Sequence, residues 1–434
     1  MSTARVVVVG AGFAGYHAAR GLQRLAPDAE IVVINPTDYF LYLPLLPEVA
    51  AGVLEPRRIC VSLPDRLPKV KLRLGAVTRI DINAHGVEWT DPDGHRRTTE
   101  FDRLVLASGS VNKLLPIPGV AEYAHGFRSI SEALFLRDHI TRQLELAAAT
   151  NDKDERDARC TFVVVGAGYT GTEVAAQGQL FTRRLLKQLP ALRNQRVRWV
   201  LADLAERLLP GLDPRMSATA ERVLRKRGLE VRTRESVEYA APDCLRMTNG
   251  EEIATRTLVW CVGVRPDPLV EGLSLPTDRG RLRVHETLVV EGRSHVFAVG
   301  DCAAVPDVTQ PGSVTGMTAQ HAQRQGKLVA RNVAASLAGA ELEGYEHHDL
   351  GFLVDLGGWQ AAANPLKIPL SGLPAKTVTR GYHLLSLPGN RTRTATDWAI
   401  NTAMPPRAVQ LGLVTADQVR LDCTVPSSRP GSFR

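Results

Sequence analysis

The chain of 434 residues has no closely spaced cysteine pair. Cys60, Cys160, Cys244, Cys261, Cys302 and Cys423 are scattered, with neither a CxxC nor a CxxxxC spacing. That argues against a disulfide scaffold, a zinc site and a redox dithiol. The thiols read instead as small buried residues in a reducing compartment. The sequence also lacks any run near the roughly 18 apolar residues that a bilayer-spanning helix needs. It opens directly on a strand, Val6–Val9, so no secretory leader is expected. These absences predict a protein that is cytoplasmic or lies on a membrane without crossing it. Apolar and charged contents of 44% and 23% exclude a disordered or fibrous chain. The length calls for two or three domains.

The net charge of +7 is unevenly placed. Eight basic residues (Lys376, Arg380, Arg391, Arg393, Arg407, Arg420, Arg429, Arg434) and three acidic ones (Asp397, Asp417, Asp422) lie from Lys376 onward, so the tail carries most of it. Such a tail suits anionic lipid or nucleic acid, or is a solvated surface.

An internal echo organises the rest. Residues 6–15 read VVVVGAGFAG and residues 163–172 read VVVGAGYTGT, with Glu173 next. Each is a buried-strand run ending in GxGxxG. Helices are expected from about Ala14 to Leu25 and from about Gly171 to Leu189. A second strand follows each, Glu30–Ile34 and Val197–Ala202, so both units read as the β-α-β of a dinucleotide site. The first glycine permits the tight turn, the second lets the backbone approach a pyrophosphate, and the third lets helix and strand pack. The phosphates then sit on the helix N-terminus. Further strand-to-turn features are expected at Leu104–Ala107 before Ser108-Gly109, at Leu258–Val262 before Gly263, and at Val296–Asp301. A helix is expected from Thr318 to Leu337.

The second strand of such a unit usually ends in an acid that binds ribose hydroxyls. In the first unit that place is Asn35, which can still hydrogen-bond but carries no charge. In the second it is Asp203, whose carboxylate favours NADH over NADPH. Two dinucleotide units imply two dinucleotides, and hydride transfer between a flavin and a nicotinamide is the natural chemistry.

The set GAGFAG, LVLASGS, VVVGAGYTGTE and VFAVGDCA resembles the FAD/NAD-linked reductases with two dinucleotide-binding domains. Within them the chain is similar to the type II NADH:quinone dehydrogenases. The similarity runs through YFLYLPLLPEVAAG, FDRLVLASGSVNKLLPIPGVAEYA, SISEALFLRDHI, ADLAERLLPGLDPRMS, LVWCVGVRPDPLV and TAQHAQRQGKLVARN, over about residues 4–400. The resemblance implies an α/β fold with two Rossmann-like domains, the FAD domain interrupted by the NAD domain, and a C-terminal membrane-docking or interface region. Expected boundaries are 1–118 and 276–343 for FAD, 119–275 for NAD, and 344–434 for the C-terminal region.

On these grounds FAD and NAD(H) are the expected cofactors. Their binding residues are expected to be Gly10, Gly12, Phe13, Ala14, Gly15, Asn35, Pro44, Ala107, Gly109, Gly166, Gly168, Tyr169, Thr170, Gly171, Glu173, Asp203, Gly263, Gly300 and Asp301, with no metal. The resemblance implies that Asp301 bonds the ribityl chain of FAD and that Glu173 lies near nicotinamide and flavin. The quinone-site motif AQxAxQ stands here as Ala319-Gln320-His321-Ala322-Gln323-Arg324. Gln320 is kept and Arg324 replaces the final glutamine. Gln320, Arg324 and Glu173 are therefore the expected catalytic group.

Expected partners are NADH, a quinone and the membrane surface on its cytoplasmic side, with no nucleic acid and a homodimer left open. Docking is expected through 377–388 and 394–413, with Tyr382, Leu384, Leu385, Leu387, Trp398, Ile400, Met404 and Leu411, and with Pro405 and Pro406 ending the second helix. A disulfide reductase is excluded because 40–60 holds only Cys60. A sulfide:quinone reductase is disfavoured because Gly344 to Val414 has no cysteine. A reductase of a soluble carrier, or an NAD(H)-binding redox sensor with poor turnover, remains open.

Overall fold

Val6, Val7, Val8 and Val9 are buried on both faces of the Arg5–Val9 strand. A continuous apolar run, rather than an alternating one, is what a central parallel strand requires. It pairs in parallel with Glu30–Asn35 on one side and Arg103–Leu106 on the other. The full sheet runs Val289–Val290, Arg293–Ala298, Arg103–Leu106, Arg5–Val9, Glu30–Asn35, Lys71–Leu74. This computed structural model describes residues 3–347, 350–404 and 408–421. Pro405, Pro406, Arg407, Asp422, Cys423, Arg429 and Arg434 lie outside the described residues.

The chain divides into two units. The first holds residues 3–41, Cys60–Val111 and 264–347; the second holds Tyr42–Ile59, Asn112–Gly263 and the described residues from 350 onward. In the first unit the Phe13–Leu25 helix packs against the Ala319–Ala338 helix. They approach so closely that a Cβ on Gly326 would stand 2.3 Å from the carbonyl oxygen of Ala14. Thr318 caps the second of these helices at its N-terminus, and Gly339, in the left-handed region, ends it.

The second unit repeats the plan, with a parallel sheet in the order Ala124–His125, Leu258–Trp260, Thr161–Val165, Arg198–Asp203, Glu230–Thr233. Its Tyr169–Leu186 helix lies on Trp199, whose ring would meet a Cβ on Gly178 at 2.2 Å. Trp199 stacks on Phe162 and donates its indole N–H to Thr182 Oγ1. The long Ile130–Ala149 helix starts in a reciprocal cap between Ser129 and Glu132.

Beyond residue 350 the second unit carries a three-stranded antiparallel sheet, Leu353–Asp355, Ala361–Ala363 and Leu370–Ser371, then the helices Gly372–Ser386 and Arg391–Ala403. The helix expected within the 394–413 stretch starts earlier, at Arg391, and ends at Ala403, before Pro405 as expected. Leu387 and Trp398, expected on the docking face, are buried, whereas Leu385, Ile400, Met404 and Leu411 are exposed. Leu366, Ile368 and Leu373 join the exposed set. Burial of Trp398 follows from its indole N–H, which donates to the buried carboxylate of Glu48. Among the described residues no helix is long and apolar enough to cross a membrane.

Candidate functional site

The two glycine loops have the same internal logic. A Cβ on Gly10 would lie 2.5 Å from Ala107 O, and one on Gly15 would lie 1.9 Å from Gly10 O. In the second unit a Cβ on Gly166 would lie 2.2 Å from Cys261 O, and one on Gly171 would lie 1.8 Å from Gly166 O. First and third glycines are therefore demanded by the polypeptide's own packing. The middle glycines are not. Gly12 and Gly168 have negative φ and nothing within 4 Å of a built Cβ. Each sits at the N-cap of its helix with no side-chain cap. The space at these positions, in front of a helix N-terminus, fits the close approach of a pyrophosphate. Gly109 and Gly263, at the ends of neighbouring strands, likewise face open space, with φ of 77° and 102°.

The strand-end residues close these loops. Asn35 Oδ1 accepts from the N–H of Ala11 at 2.8 Å, and its Nδ2 donates to Thr37 O and Oγ1. Asp203 does the equivalent with charge, accepting from Ala167 N at 2.5 Å and Ala205 N at 2.8 Å. Asn35 is buried and committed to the loop, whereas Asp203 is partly exposed. A carboxylate has lone pairs to spare for a further donor.

Asp301 sits on the turn after the Arg293–Ala298 strand and accepts from Ser110 Oγ at 2.5 Å. Gly300, at φ 72°, donates its N–H to Gln325 Oε1 at 2.7 Å, and Gln325 in turn donates to Thr315 Oγ1. Gln325 thus clamps the turn that presents Asp301. No motif marked it. Arg281 was also not foreseen. It is buried, its field acts on Asp301, and it donates to Thr315 O while its Nε and Nη2 have no partner. Of the other expected flavin-side residues, Phe13 lies edge-on to Phe40 and Ala14 lines Gly326 and Gly300. Pro44 stands in the short Leu43–Leu45 turn, which belongs to the second unit.

Glu173 lies in a buried acid–lysine cluster of the second unit. Its Oε1 accepts from Asp355 N at 2.8 Å. Asp355 Oδ2 takes a bond from Lys376 Nζ, which also stands 3.7 Å from Glu48 Oε1. Glu48 Oε2 accepts from Trp398 Nε1. Two carboxylates thus flank one ammonium, and Glu173 joins the group through the Asp355 backbone. Desolvation is the largest influence on both Glu48 and Glu173 and raises both carboxyls, that of Glu173 well above the usual range. Ionised acids gathered here would leave poorly compensated charge away from water, so burial favours the protonated forms of Glu48 and Glu173. Nearby, Tyr169 stacks on Phe352 at 5.9 Å, and Thr170 is exposed on the first turn of its helix.

A family model described as pyridine nucleotide-disulphide oxidoreductase matches residues 4–326. The type II NADH:quinone oxidoreductase NdhA of Mycobacterium tuberculosis is 31% identical over 429 residues, covering 96% of this chain and 90% of the relative. The Ndh enzyme of the same organism is 32% identical over 414 residues, covering 91% and 87%. The structure of NDH2 from Plasmodium falciparum in complex with NADH matches with a TM-score of 0.86 at 17% identity, covering 94% of this chain and 100% of that one, which speaks for the fold. The chain belongs to the pyridine nucleotide-disulphide oxidoreductases, in their type II NADH:quinone oxidoreductase branch.

As a member of this branch the chain has no dithiol in its described residues. Cys160, Cys244, Cys261 and Cys302 are free thiols, and burial pushes the Cys60 thiol up to about 11. The branch's AQxAxQ position falls on the first turns of the Ala319–Ala338 helix, where Gln320 and Arg324 are both partly exposed one turn apart. Arg324 Nη1 lies 2.8 Å from His347 Nδ1, beside a His321–Tyr345 hydrogen bond of 2.9 Å. The arginine that replaces the motif's second glutamine is thus drawn toward a histidine–tyrosine group of its own unit.

Proposed function

We propose that this chain oxidises NADH and reduces a quinone by two electrons, with FAD held by the first unit and NADH by the second. The observation that carries the reading is the pair of open middle glycines, Gly12 and Gly168, inside loops otherwise packed shut. FAD supplies, when bound, the acceptor for the hydride of NADH and the donor to the quinone. The polypeptide binds, orients and manages protons. Gly10, Gly12 and Gly15 shape the pyrophosphate seat. Asp301, held by Ser110 and by the Gln325 clamp on Gly300, offers a carboxylate for a hydroxylated chain. Asp203 faces the ribose of NADH and repels a 2′-phosphate. Gln320 donates to a quinone carbonyl, and Arg324 stands beside it on the same helix.

A quinol carries two protons more than its quinone. In the Glu48–Lys376–Asp355–Glu173 cluster, burial favours the protonated forms of Glu48 and Glu173. We further propose that the chain works on the cytoplasmic face of the cell membrane. The exposed Leu366, Ile368, Leu373, Leu385, Ile400 and Met404 supply the apolar contact and Arg391 and Arg393 the attraction to anionic lipid. Steady-state NADH oxidation with a panel of quinones and with ferricyanide tests the function. Turnover with quinone, abolished for long-tailed quinones when vesicles are omitted, is the expected result. Turnover with ferricyanide or a ferredoxin but with no quinone would replace it by a soluble-carrier reductase.

A further inference from the structure

We propose that Glu206 is a second determinant of coenzyme choice: it engages the guanidinium of Arg234, which would otherwise receive a 2′-phosphate, so NADPH is refused by more than Asp203 alone. This rests on the reading of the second unit as the NADH site. The first observation is where Arg234 stands. Asp203 ends its strand and pairs in register with Thr233, the last residue of the neighbouring Glu230–Thr233 strand. Arg234 comes next. Its backbone N–H donates to Ala205 O at 3.0 Å, and that of Glu235 donates to Asp203 O at 3.1 Å. These main-chain bonds tie Arg234 and the Asp203 turn into one surface at the carboxyl ends of parallel strands, the edge where such sheets bind ligands. The same bonds hold Arg234 at φ 61°, a left-handed conformation uncommon outside glycine.

The second observation is how the cations at this edge are occupied. An arginine beside the strand end is what admits a 2′-phosphate, because its guanidinium matches phosphate oxygens two at a time. Arg207 is turned back on its own loop, its Nη2 donating to Pro210 O at 2.8 Å and to Leu212 O at 3.1 Å. Arg232 bonds both carboxylate oxygens of Glu251 and lies 3.5 Å from Glu235. Arg234 differs from both. It is exposed, and its Nη2 donates to Glu206 Oε1 at 2.9 Å. Glu206 lies three residues beyond Asp203, on the same turn.

The pair does little for the fold. Its side chains are 71% and 80% exposed, and exposed ion pairs contribute little stability. Its consequence is local. Each oxygen of Asp203 already accepts from a backbone N–H, of Ala167 or Ala205, so that carboxylate is fixed in place. Glu206 adds a second negative charge on the same turn and cancels the positive charge nearest to it. A 2′-phosphate would then meet two acids and an arginine already engaged. The 2′-hydroxyl of NADH carries no charge and is indifferent to the pair. Loss of Glu206 would leave Arg234 free to pair with a phosphate as it now pairs with a carboxylate.

Ligands without the nicotinamide read this edge apart from turnover. ADP-ribose and its 2′-phosphate are titrated at equilibrium into the full chain loaded with FAD. Glu206→Gln should tighten binding of the phosphorylated ligand about fivefold, the scale of an exposed ion pair, and move that of ADP-ribose by less than about twofold. The gain should shrink at about 1 M salt, where charges are screened within a few ångströms. Combining Glu206→Gln with Arg234→Asn should abolish the gain; asparagine tolerates the left-handed conformation, so this variant keeps the turn. With ferricyanide as acceptor, kcat/KM for NADPH should follow the same order. An unchanged affinity for the 2′-phosphate in E206Q would overturn the proposal. So would an equal change with both ligands, or a gain that survives the loss of Arg234. If the unaltered chain does not bind ADP-ribose at all, the reading of the second unit as the NADH site has failed, a different result from firm ADP-ribose binding indifferent to Glu206.

Discussion

In the first unit the group that closes the glycine loop is the amide of Asn35; in the second it is the carboxylate of Asp203. Both accept from the backbone N–H that follows the first glycine. Loop closure therefore needs an acceptor and not a charge. Asn35 is a departure from the usual acid that leaves the loop intact, because its other end donates to Thr37. Loop closure does not require the charge at Asp203, and in the proposed function that charge discriminates against a 2′-phosphate.

The comparison breaks hardest at the third glycines. Gly15→Ala and Gly171→Ala would each drive a Cβ to within 2 Å of a backbone oxygen, at 1.9 and 1.8 Å. Each should cost about 3 kcal/mol or more, read as a lowered urea midpoint. The middle glycines should behave oppositely. Gly12→Val and Gly168→Val have room to fold and, compared with the unaltered chain in the absence of bound ligands, should cost less than about 1 kcal/mol of stability. Gly12→Val should purify without its yellow colour. Gly168→Val should stay yellow and bind NADH at least about tenfold more weakly. If both variants lose FAD, the loops do not divide the two ligands between them.

The strand-end residues give the next smaller effects. Asp203→Ser should narrow the ratio of kcat/KM for NADH over NADPH by about tenfold to a hundredfold. Asn35→Asp should leave that ratio alone and cost about 1–3 kcal/mol of stability, since a carboxylate would face the Thr37 carbonyl it now donates to.

Smallest is a pH effect on which the two units should agree. Burial lowers His17 in the first unit to about 3 and His125 in the second to about 4, from 6.5. A lowered folded value favours the neutral ring, so its contribution to stability is whole above pH 6.5 and is lost as the pH falls toward 4. The urea midpoint should decline across that window, and His17→Gln should flatten the decline. A midpoint that does not change from pH 7 to 4 would contradict the assigned burial.

Both glycine loops, their flanking strands and the Ala319–Ala338 helix were legible in the sequence because their signals are local: a valine run, a glycine spacing, a helical period. The Gln325 clamp was not, since a glutamine one residue past a motif carries no mark until the Gly300 turn folds onto it. The company kept by Glu173 was equally hidden. Glu48, Asp355 and Lys376 come from segments more than a hundred residues away in sequence from Glu173, and only tertiary packing brings them together. The docking face was misread in part for the same reason. Leu387 and Trp398 look like surface anchors in an amphipathic pattern, but Trp398 turns inward to reach a buried acid.

The central claim is that electrons pass from NADH through a bound flavin to a quinone. Anaerobic stopped-flow mixing tests it in two stages. NADH should bleach the flavin absorbance in a first mix. A water-soluble quinone in a second mix should restore it at a rate no slower than steady-state quinone turnover. Flavin that NADH reduces but quinone leaves bleached would contradict the account.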